Sequence, residues 1–151
     1  MVGGDPDLIE RVKPVLLLLG AAVHHLGPPG SGAWLKLAVN ALFATQVGAM
    51  AELLALMRHA GLDPLTALEA LRTMPVLSPA AAGAAGLMLA GNYAPQAPVH
   101  LIAKDLGYVL SAAAGVGSEL AITAAVKVRF DLAEAAGLGE ENLVAVAKLL
   151  S

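Results

Sequence analysis

Apolar and polar positions along this chain follow a helical period almost throughout, and short clusters of Gly, Pro, Asp and Ser divide the apolar runs. Asp5-Pro6 reads as a capping residue followed by a first-turn proline, and it opens a helix reaching about Leu19, where Gly20 closes it. Pro14 predicts a bend or a late start within that run. Met1-Val2-Gly3-Gly4 reads as the end of a strand and Val23-His24-His25-Leu26 as a second short strand. From Ser31 to about Ala60 runs one long helix, about 45 Å at 1.5 Å per residue, ended by Gly61. It is too long to sit alone on a small core. Asp63-Pro64 and Ser78-Pro79 repeat the opening device for helices ending near Thr73 and Gly91, and residues 92–98 form a loop. Three further helices are expected over about 100–114, 118–136 and 140–150, separated by Gly115-Val116-Gly117 and Gly137-Leu138-Gly139. The pattern predicts an all-α fold of several helices around the long one. β structure is confined to the first thirty or so residues, as a strand, a helix and a strand with no further sheet to join.

Composition changes this picture in two ways. The chain has 151 residues, enough for one domain with a real core, and 58% of them are hydrophobic while only 14% are charged. Some of that apolar surface is expected to meet a partner. With a net charge of −3 and scattered basic residues, a nucleic-acid backbone is not an expected ligand. A mean hydropathy of +0.73 raises the question of a membrane. The most apolar long window, residues 38–57, carries Asn40, Thr45, Gln46 and Glu52, with Lys36 and Arg58 just outside it. A charge at mid-bilayer costs about 2.5–3.5 kcal/mol, so no membrane span is expected. Cysteine is absent, which excludes disulfides and thiolate metal sites. The acidic opening Met1-Val2-Gly3-Gly4-Asp5 lacks a basic leader region, so the expectation is a cytoplasmic protein without a signal peptide.

Candidate chemistry concentrates at Gly27-Pro28-Pro29-Gly30-Ser31-Gly32, followed by Lys36 and Asn40. Lys36 and Asn40 are i,i+4 neighbours on one helical face, within reach of one small polar ligand. The helix dipole, with burial under a neighbouring domain, would disfavour the Lys36 ammonium, as a general acid/base requires. Spacing alone equally allows a solvated lysine and an interface asparagine. Gly27 and Gly32 have the spacing of a phosphate loop, but Ala33 and Trp34 stand where Lys and Ser/Thr are needed. Gly30-x-Gly32 ends on Leu35 and is not a dinucleotide fingerprint. Lys104-Asp105 is a second polar island, in which adjacent residues must each find a separate partner. His24, His25, His59 and His100 lack metal-ligand spacing, so no metal site is expected. Glu52 lies about 24 Å along the helix from Lys36 and cannot share its ligand.

Taken in order, Met-Val-Gly-Gly at 1–4, Val12-Lys13-Pro14, Gly27-x-x-Gly30-x-Gly32-x-x-x-Lys36-x-x-x-Asn40, Glu52, Gly61-Leu62-Asp63-Pro64 and Lys104-Asp105-Leu106-Gly107 resemble the β-hydroxyacid dehydrogenases, the relatives of 3-hydroxyisobutyrate dehydrogenase. The resemblance implies an enzyme with an N-terminal Rossmann domain for NAD or NADP and an all-α C-terminal domain that supplies the catalytic lysine and builds a homodimer around the long helix. On that basis residues 1–27 are the tail of a Rossmann domain and 28–151 the helical catalytic and dimerisation domain. Lys36 would be the acid/base, Asn40 would contact the substrate, and Gly30 and Gly32 would form the turn beside it. Lys104 would approach the cofactor and Asp105 would position that segment. The substrate would be a small hydroxyacid or semialdehyde. The cofactor fingerprint and the family's N-terminal serine-glycine-glycine motif are absent, so the chain alone is expected to bind no cofactor and to be inactive without the Rossmann domain in cis. The alternative is a non-catalytic helical dimerisation module that keeps the family scaffold. The more distant 6-phosphogluconate dehydrogenases would have histidine where Val39 stands.

Overall fold

The structure is a computed structural model and describes residues 1–150. Six α-helices dominate it: α1 (Pro6–Leu16), α2 (Ser31–His59), α3 (Pro64–Arg72), α4 (Pro79–Leu89), α5 (Val99–Gly115) and α6 (Ala121–Ala133). Among the described residues β structure is limited to two isolated bridges, Val2 with His25 in parallel and Pro98 with Asn142 in antiparallel. The chain forms two compact units, Met1–Val39 and Asn40–Ser151.

The helix starts follow from local chemistry. Asp5 accepts the Leu8 amide at 3.0 Å, and Asp63 accepts the Leu65 and Thr66 amides at 3.2 and 3.0 Å. Ser78 accepts the Ala81 amide at 3.2 Å. In each case proline occupies the next position, where no amide hydrogen is needed. Three glycines end helices in the left-handed region that side chains avoid: Gly61 at φ +74°, Gly91 at +62° and Gly117 at +70°. Each is followed by an amide that reaches back to the last turn, Leu62 to Met57, Asn92 to Leu87 and Ser118 to Ala113.

Three expected boundaries move, each for a visible reason. Helix α1 stops at Leu16 rather than Leu19, because Pro14 leaves the Glu10 carbonyl without its helical donor and Leu18 and Leu19 then close tight turns onto Val15 and Leu16. Helix α6 begins at Ala121 rather than Ser118, because Ser118 is used in terminating α5. The last segment is a 3₁₀ helix, Leu143–Leu150, rather than an α-helix beginning at Glu140. Its entry is tied to the 92–98 loop by Asn142 N–H to the Tyr93 carbonyl and Leu143 N–H to the Ala97 carbonyl. Leu143, Val144, Ala145 and Val146 are all buried, so tertiary packing overrides the helical period there. A single π turn, Glu134–Leu138, extends α6 and ends at Gly137 with φ +82°.

Within the first unit, α1 follows the Val2 segment and leads to the His25 segment. Val2 N–H donates to the His24 carbonyl at 2.9 Å, and Leu26 N–H to the Val2 carbonyl at 3.0 Å. The two expected strands therefore meet at one parallel bridge.

The second unit has its core around the C-terminal two-thirds of α2. Ala41, Ala44, Val47, Met50, Ala51, Leu54 and Ala55 form its buried stripe. Ala81, Ala85 and Met88 of α4, Val99, Ala103 and Leu106 of α5 and Phe130 of α6 complete the core. Helix α2 is long and apolar enough to cross a bilayer, while this stripe is that of a core helix. Polar side chains also link α2 to the surrounding helices. Asn40 Nδ2 donates to Asp105 Oδ2 on α5 at 2.7 Å, the Ser78 hydroxyl at the cap of α4 donates to Gln46 Oε1, and Arg129 on α6 donates to Glu52 at 3.2 Å.

Asn142 is the buried polar residue of this unit, 2% exposed. Its side chain donates to the Ala94 carbonyl at 3.3 Å and accepts the Val144 amide at 3.2 Å. Asn142→Ala leaves the buried Val144 amide without its acceptor and removes the donor to the carbonyl of the exposed Ala94, and should cost about 1–3 kcal/mol, read from urea unfolding.

At the start of α3, the Thr66 hydroxyl and amide and the Leu65 amide all donate to Asp63, and they hold its carboxyl below the ordinary carboxylate value. Because the folded value is the lower one, the cap's contribution is complete above the unfolded value and is lost as pH falls through the folded one. Thr66→Val should return the Asp63 carboxyl toward 3.8 in a side-chain carboxyl NMR titration.

Candidate functional site

The six residues singled out above fall in both units. Gly30, Gly32 and Lys36 belong to the first, and Asn40, Lys104 and Asp105 to the second.

In the first unit the glycine-rich turn lies against the chain's own N-terminal segment. A Cβ on Gly32 would stand 3.1 Å from the Met1 carbonyl oxygen and from Val2 Cα, and a Cβ on Gly3 would stand 2.4 Å from the Pro28 carbonyl oxygen. Gly3 therefore requires glycine for close backbone approach, and at Gly32 a Cβ would fit only if the Met1–Val2 backbone gave by a few tenths of an ångström. Gly27 and Gly30 need it for conformation, at φ +115° and +96°. The Gly30 carbonyl accepts the Ala33 and Trp34 amides at 3.0 and 3.2 Å, and the Ser31 hydroxyl donates to the Pro28 carbonyl at 2.8 Å, so the turn leads directly into α2. Lys36 follows in the second turn of α2 and is exposed.

A residue that spacing did not reveal completes this turn. His25 Nε2 lies 2.9 Å from the Gly4 carbonyl oxygen and 3.0 Å from that of Gly27. Both are acceptors, so Nε2 carries the hydrogen. The available signal was the histidine's place at the end of a short strand, just before the first turn glycine.

In the second unit, Asn40 and Asp105 form the 2.7 Å bond that joins α2 to α5. The Asp105 side chain is 17% exposed and the Lys104 side chain 51%. The Lys104 ammonium lies 3.7 Å from Asp105 Oδ1 and 5.7 Å from the centre of the Tyr108 ring, one turn further along α5. Adjacent residues thus do make a long contact, while Asn40 is a short partner of Asp105. Glu52, excluded above from the Lys36 ligand, pairs with Arg129. A cleft of about 490 Å³ elsewhere in this unit is lined by Phe43, Leu87, Ala97, Asn142 and Leu143 among others. It contains no titratable group.

Chemically, the arrangement offers an exposed primary amine in the first unit. In the second it offers a carboxamide with a fixed orientation and an exposed ammonium beside a mostly buried carboxylate. The Asn40–Asp105 bond uses one amide hydrogen of Asn40 and leaves its carbonyl oxygen and second hydrogen for other groups.

Comparison with known proteins gives a consistent result. Residues 30–150 match the family model described as NAD-binding of NADP-dependent 3-hydroxyisobutyrate dehydrogenase. The chain is 32% identical over 150 residues to 2-(hydroxymethyl)glutarate dehydrogenase of Eubacterium barkeri, covering 99% of this chain and 50% of that protein. It is 31% identical over 137 residues to 2-hydroxy-3-oxopropionate reductase of Escherichia coli, covering 91% and 47%. The crystal structure of 3-hydroxyisobutyrate dehydrogenase from Salmonella typhimurium superposes with a TM-score of 0.90 at 27% identity, covering 97% of this chain and 52% of that one. The chain thus spans about half the length of these relatives.

If Asp105 fixes the Asn40 carboxamide, Asp105→Ala should speed hydrogen exchange of the Asn40 side-chain amide by about tenfold in NMR. The backbone amides of Met50 and Leu54, deeper in α2, should keep their rates.

Proposed function

The chain belongs to the 3-hydroxyisobutyrate dehydrogenase family, and we propose that it is the helical, C-terminal half of an NAD- or NADP-dependent β-hydroxyacid dehydrogenase or semialdehyde reductase. The observation that carries this reading is the ordered set of positions from Gly30 through Lys36 and Asn40 to Lys104-Asp105, together with the 2.7 Å bond between its members Asn40 and Asp105. The names of the relatives, a hydroxymethyl acid dehydrogenase and a hydroxy-oxo acid reductase, agree with a small hydroxyacid or semialdehyde as substrate.

In this reading Lys36 is the general acid/base. Its ammonium gives a proton to the substrate's carbonyl oxygen during reduction, and its amine takes the hydroxyl proton during oxidation. The nicotinamide nucleotide, when bound, supplies or accepts the hydride at the carbinol carbon. Asn40 orients the substrate through the amide groups that Asp105 leaves available. Gly30 and Gly32 allow the backbone to pass close beside the substrate. Lys104 presents its ammonium to the nucleotide, and Asp105 holds that segment of α5 against α2.

The residues present fit one side of a nucleotide site. The Gly27–Gly32 turn is packed against the backbone of residues 1–4, as the Gly3 and Gly32 contacts require, so it is not an open phosphate cradle. The nucleotide phosphates then belong to a Rossmann domain in cis, of which residues 1–27 with their parallel bridge are the tail. Purified alone, the chain should show no oxidation of NADH or NADPH with small semialdehydes. In an enzyme carrying both halves, Lys36→Ala should lower kcat by about 10²–10⁴-fold. The KM for the nucleotide should change far less, and an unchanged kcat would remove Lys36 from the mechanism.

A second reading, a non-catalytic dimerisation module, is favoured by one specific observation. Leu42, Leu53 and Leu56 are exposed along α2, spaced for one apolar face. The same face serves the homodimer in the enzymatic reading. A dimer is expected by sedimentation velocity, converted to monomer by Leu53→Glu with Leu56→Glu; a monomer at all concentrations refutes this part of the proposal.

A further inference from the structure

His25 takes no part in the chemistry assigned above, yet it closes the turn from which α2 starts. Gly4 N–H donates to the Gly27 carbonyl at 2.8 Å. The His25 imidazole then donates through Nε2 to that same Gly27 carbonyl at 3.0 Å and to the Gly4 carbonyl at 2.9 Å. One side-chain N–H thus bridges the ends of the two paired segments at the point where the chain leaves them. Beyond Gly27 the turn is held by four further bonds. The Ser31 amide and hydroxyl both reach the Pro28 carbonyl, at 3.1 and 2.8 Å, and the Gly30 carbonyl accepts the Ala33 and Trp34 amides of α2.

The geometry explains why a side-chain clamp is needed here. Two prolines and two glycines with positive φ supply little hydrogen bonding of their own: proline has no N–H, and Gly27 and Gly30 lose more backbone freedom on ordering than other residues. The Gly3 and Gly32 contacts fix how near the turn approaches residues 1–3, since a backbone-to-backbone approach of this kind has a hard limit. They leave its rotation about that contact open, and a directional bond to the Gly27 carbonyl fixes it. Rotation of this turn would change the direction in which α2 sets out and would carry Lys36, two turns into the helix, with it.

We propose that His25 is a positioning residue, whose Nε2–H clamps Gly4 to Gly27 and so sets the glycine turn and the entry of the helix carrying Lys36. The role in catalysis rests on the assignment of Lys36 as acid/base; the clamp itself does not.

Three measurements separate these claims. In the unmodified chain, long-range proton–nitrogen NMR of the imidazole should show the hydrogen of neutral His25 on Nε2, and an Nδ1–H tautomer overturns the clamp. His25→Leu should speed hydrogen exchange of the Gly4 and Ser31 amides at least about threefold, while His25→Gln, which keeps an N–H donor, should restore most of the protection. His24→Leu serves as the matched control. Equal exchange in the unmodified chain and in His25→Leu overturns the proposal, and if His25→Leu does not fold, the tautomer and the His25→Gln exchange still decide it. In an enzyme carrying both halves, His25→Leu should lower kcat about tenfold with little change in the nucleotide KM, and His25→Gln should recover it. If kcat survives His25→Leu but is lost in Lys36→Ala, the positioning role fails while the lysine assignment stands. If kcat survives Lys36→Ala, the lysine assignment fails, and the exchange data alone judge the clamp.

Discussion

The second unit depends on burying one stripe of α2 whose members are mostly alanine. Ala41, Ala44, Ala51 and Ala55 contribute four of its seven buried positions, and α4 faces the core with Ala81, Ala82, Ala84 and Ala85. An alanine methyl removes far less apolar surface from water than a leucine does, at roughly 25 cal/mol per Å². A core built this way gains its stability by bringing helix backbones close together. Close backbones pack well in several registers, because a row of methyl groups has little relief for a neighbour to read. The register must then come from elsewhere.

It comes from polar links at the edges of the stripe. Asn40, Gln46 and Glu52 lie six residues apart along α2 and bond to α5, to the cap of α4 and to α6 respectively. The exposed Glu52–Arg129 pair adds little to stability. Gln46 does more, because the Ser78 hydroxyl that donates to it also accepts the Ala81 amide, so one side chain both caps α4 and ties it to α2. Asn40 acts in the same way on α5. By holding Asp105 it fixes the turn of α5 on which Lys104 stands. The residues proposed for function in this unit are therefore also residues that set its register, and the Asn40 carboxamide is held because the fold has already used one of its two amide hydrogens.

How much of this was legible in the sequence depends on the range of the interaction concerned. The starts at Asp5-Pro6, Asp63-Pro64 and Ser78-Pro79 and the ends at Gly61 and Gly91 are local devices, satisfied within a few residues, and each lies where its spacing placed it. The boundaries that moved are those decided by a distant group. Leu143 and Asn142 donate to carbonyls in the 92–98 loop, and nothing within a helical turn of Glu140 announces this. Ser118 resembles a helix start by composition and is used as the end of the preceding helix. The positions of Lys36, Asn40, Lys104 and Asp105 were readable as an ordered motif. The bond between Asn40 and Asp105, 65 residues apart, was not, because periodicity says which face a residue occupies and nothing about what that face meets. His25 is illegible for a related reason: its partners are the Gly4 and Gly27 backbone carbonyls, and a backbone carbonyl carries no sequence signal as a metal-ligand spacing would.

The glycine-rich turn shows how a familiar spacing is explained without its familiar ligand. Gly27 and Gly32 stand at phosphate-loop separation, after a segment with β pairing and before a helix, so each element of the phosphate-binding pattern except the lysine and the Ser/Thr after it is present. At Gly32 a Cβ would crowd Met1 and Val2 at 3.1 Å, and Gly27 and Gly30 adopt φ values that side chains avoid. The glycines are thus required by the chain's own backbone before any ligand is considered. A loop that wraps a phosphate turns its amides toward an open cavity, whereas here the Ser31 amide is taken by the Pro28 carbonyl and the Ala33 and Trp34 amides by that of Gly30. What the turn delivers is direction. It converts the end of a parallel pairing into the start of a long helix within a few residues, and a lysine two turns beyond inherits whatever precision that conversion has.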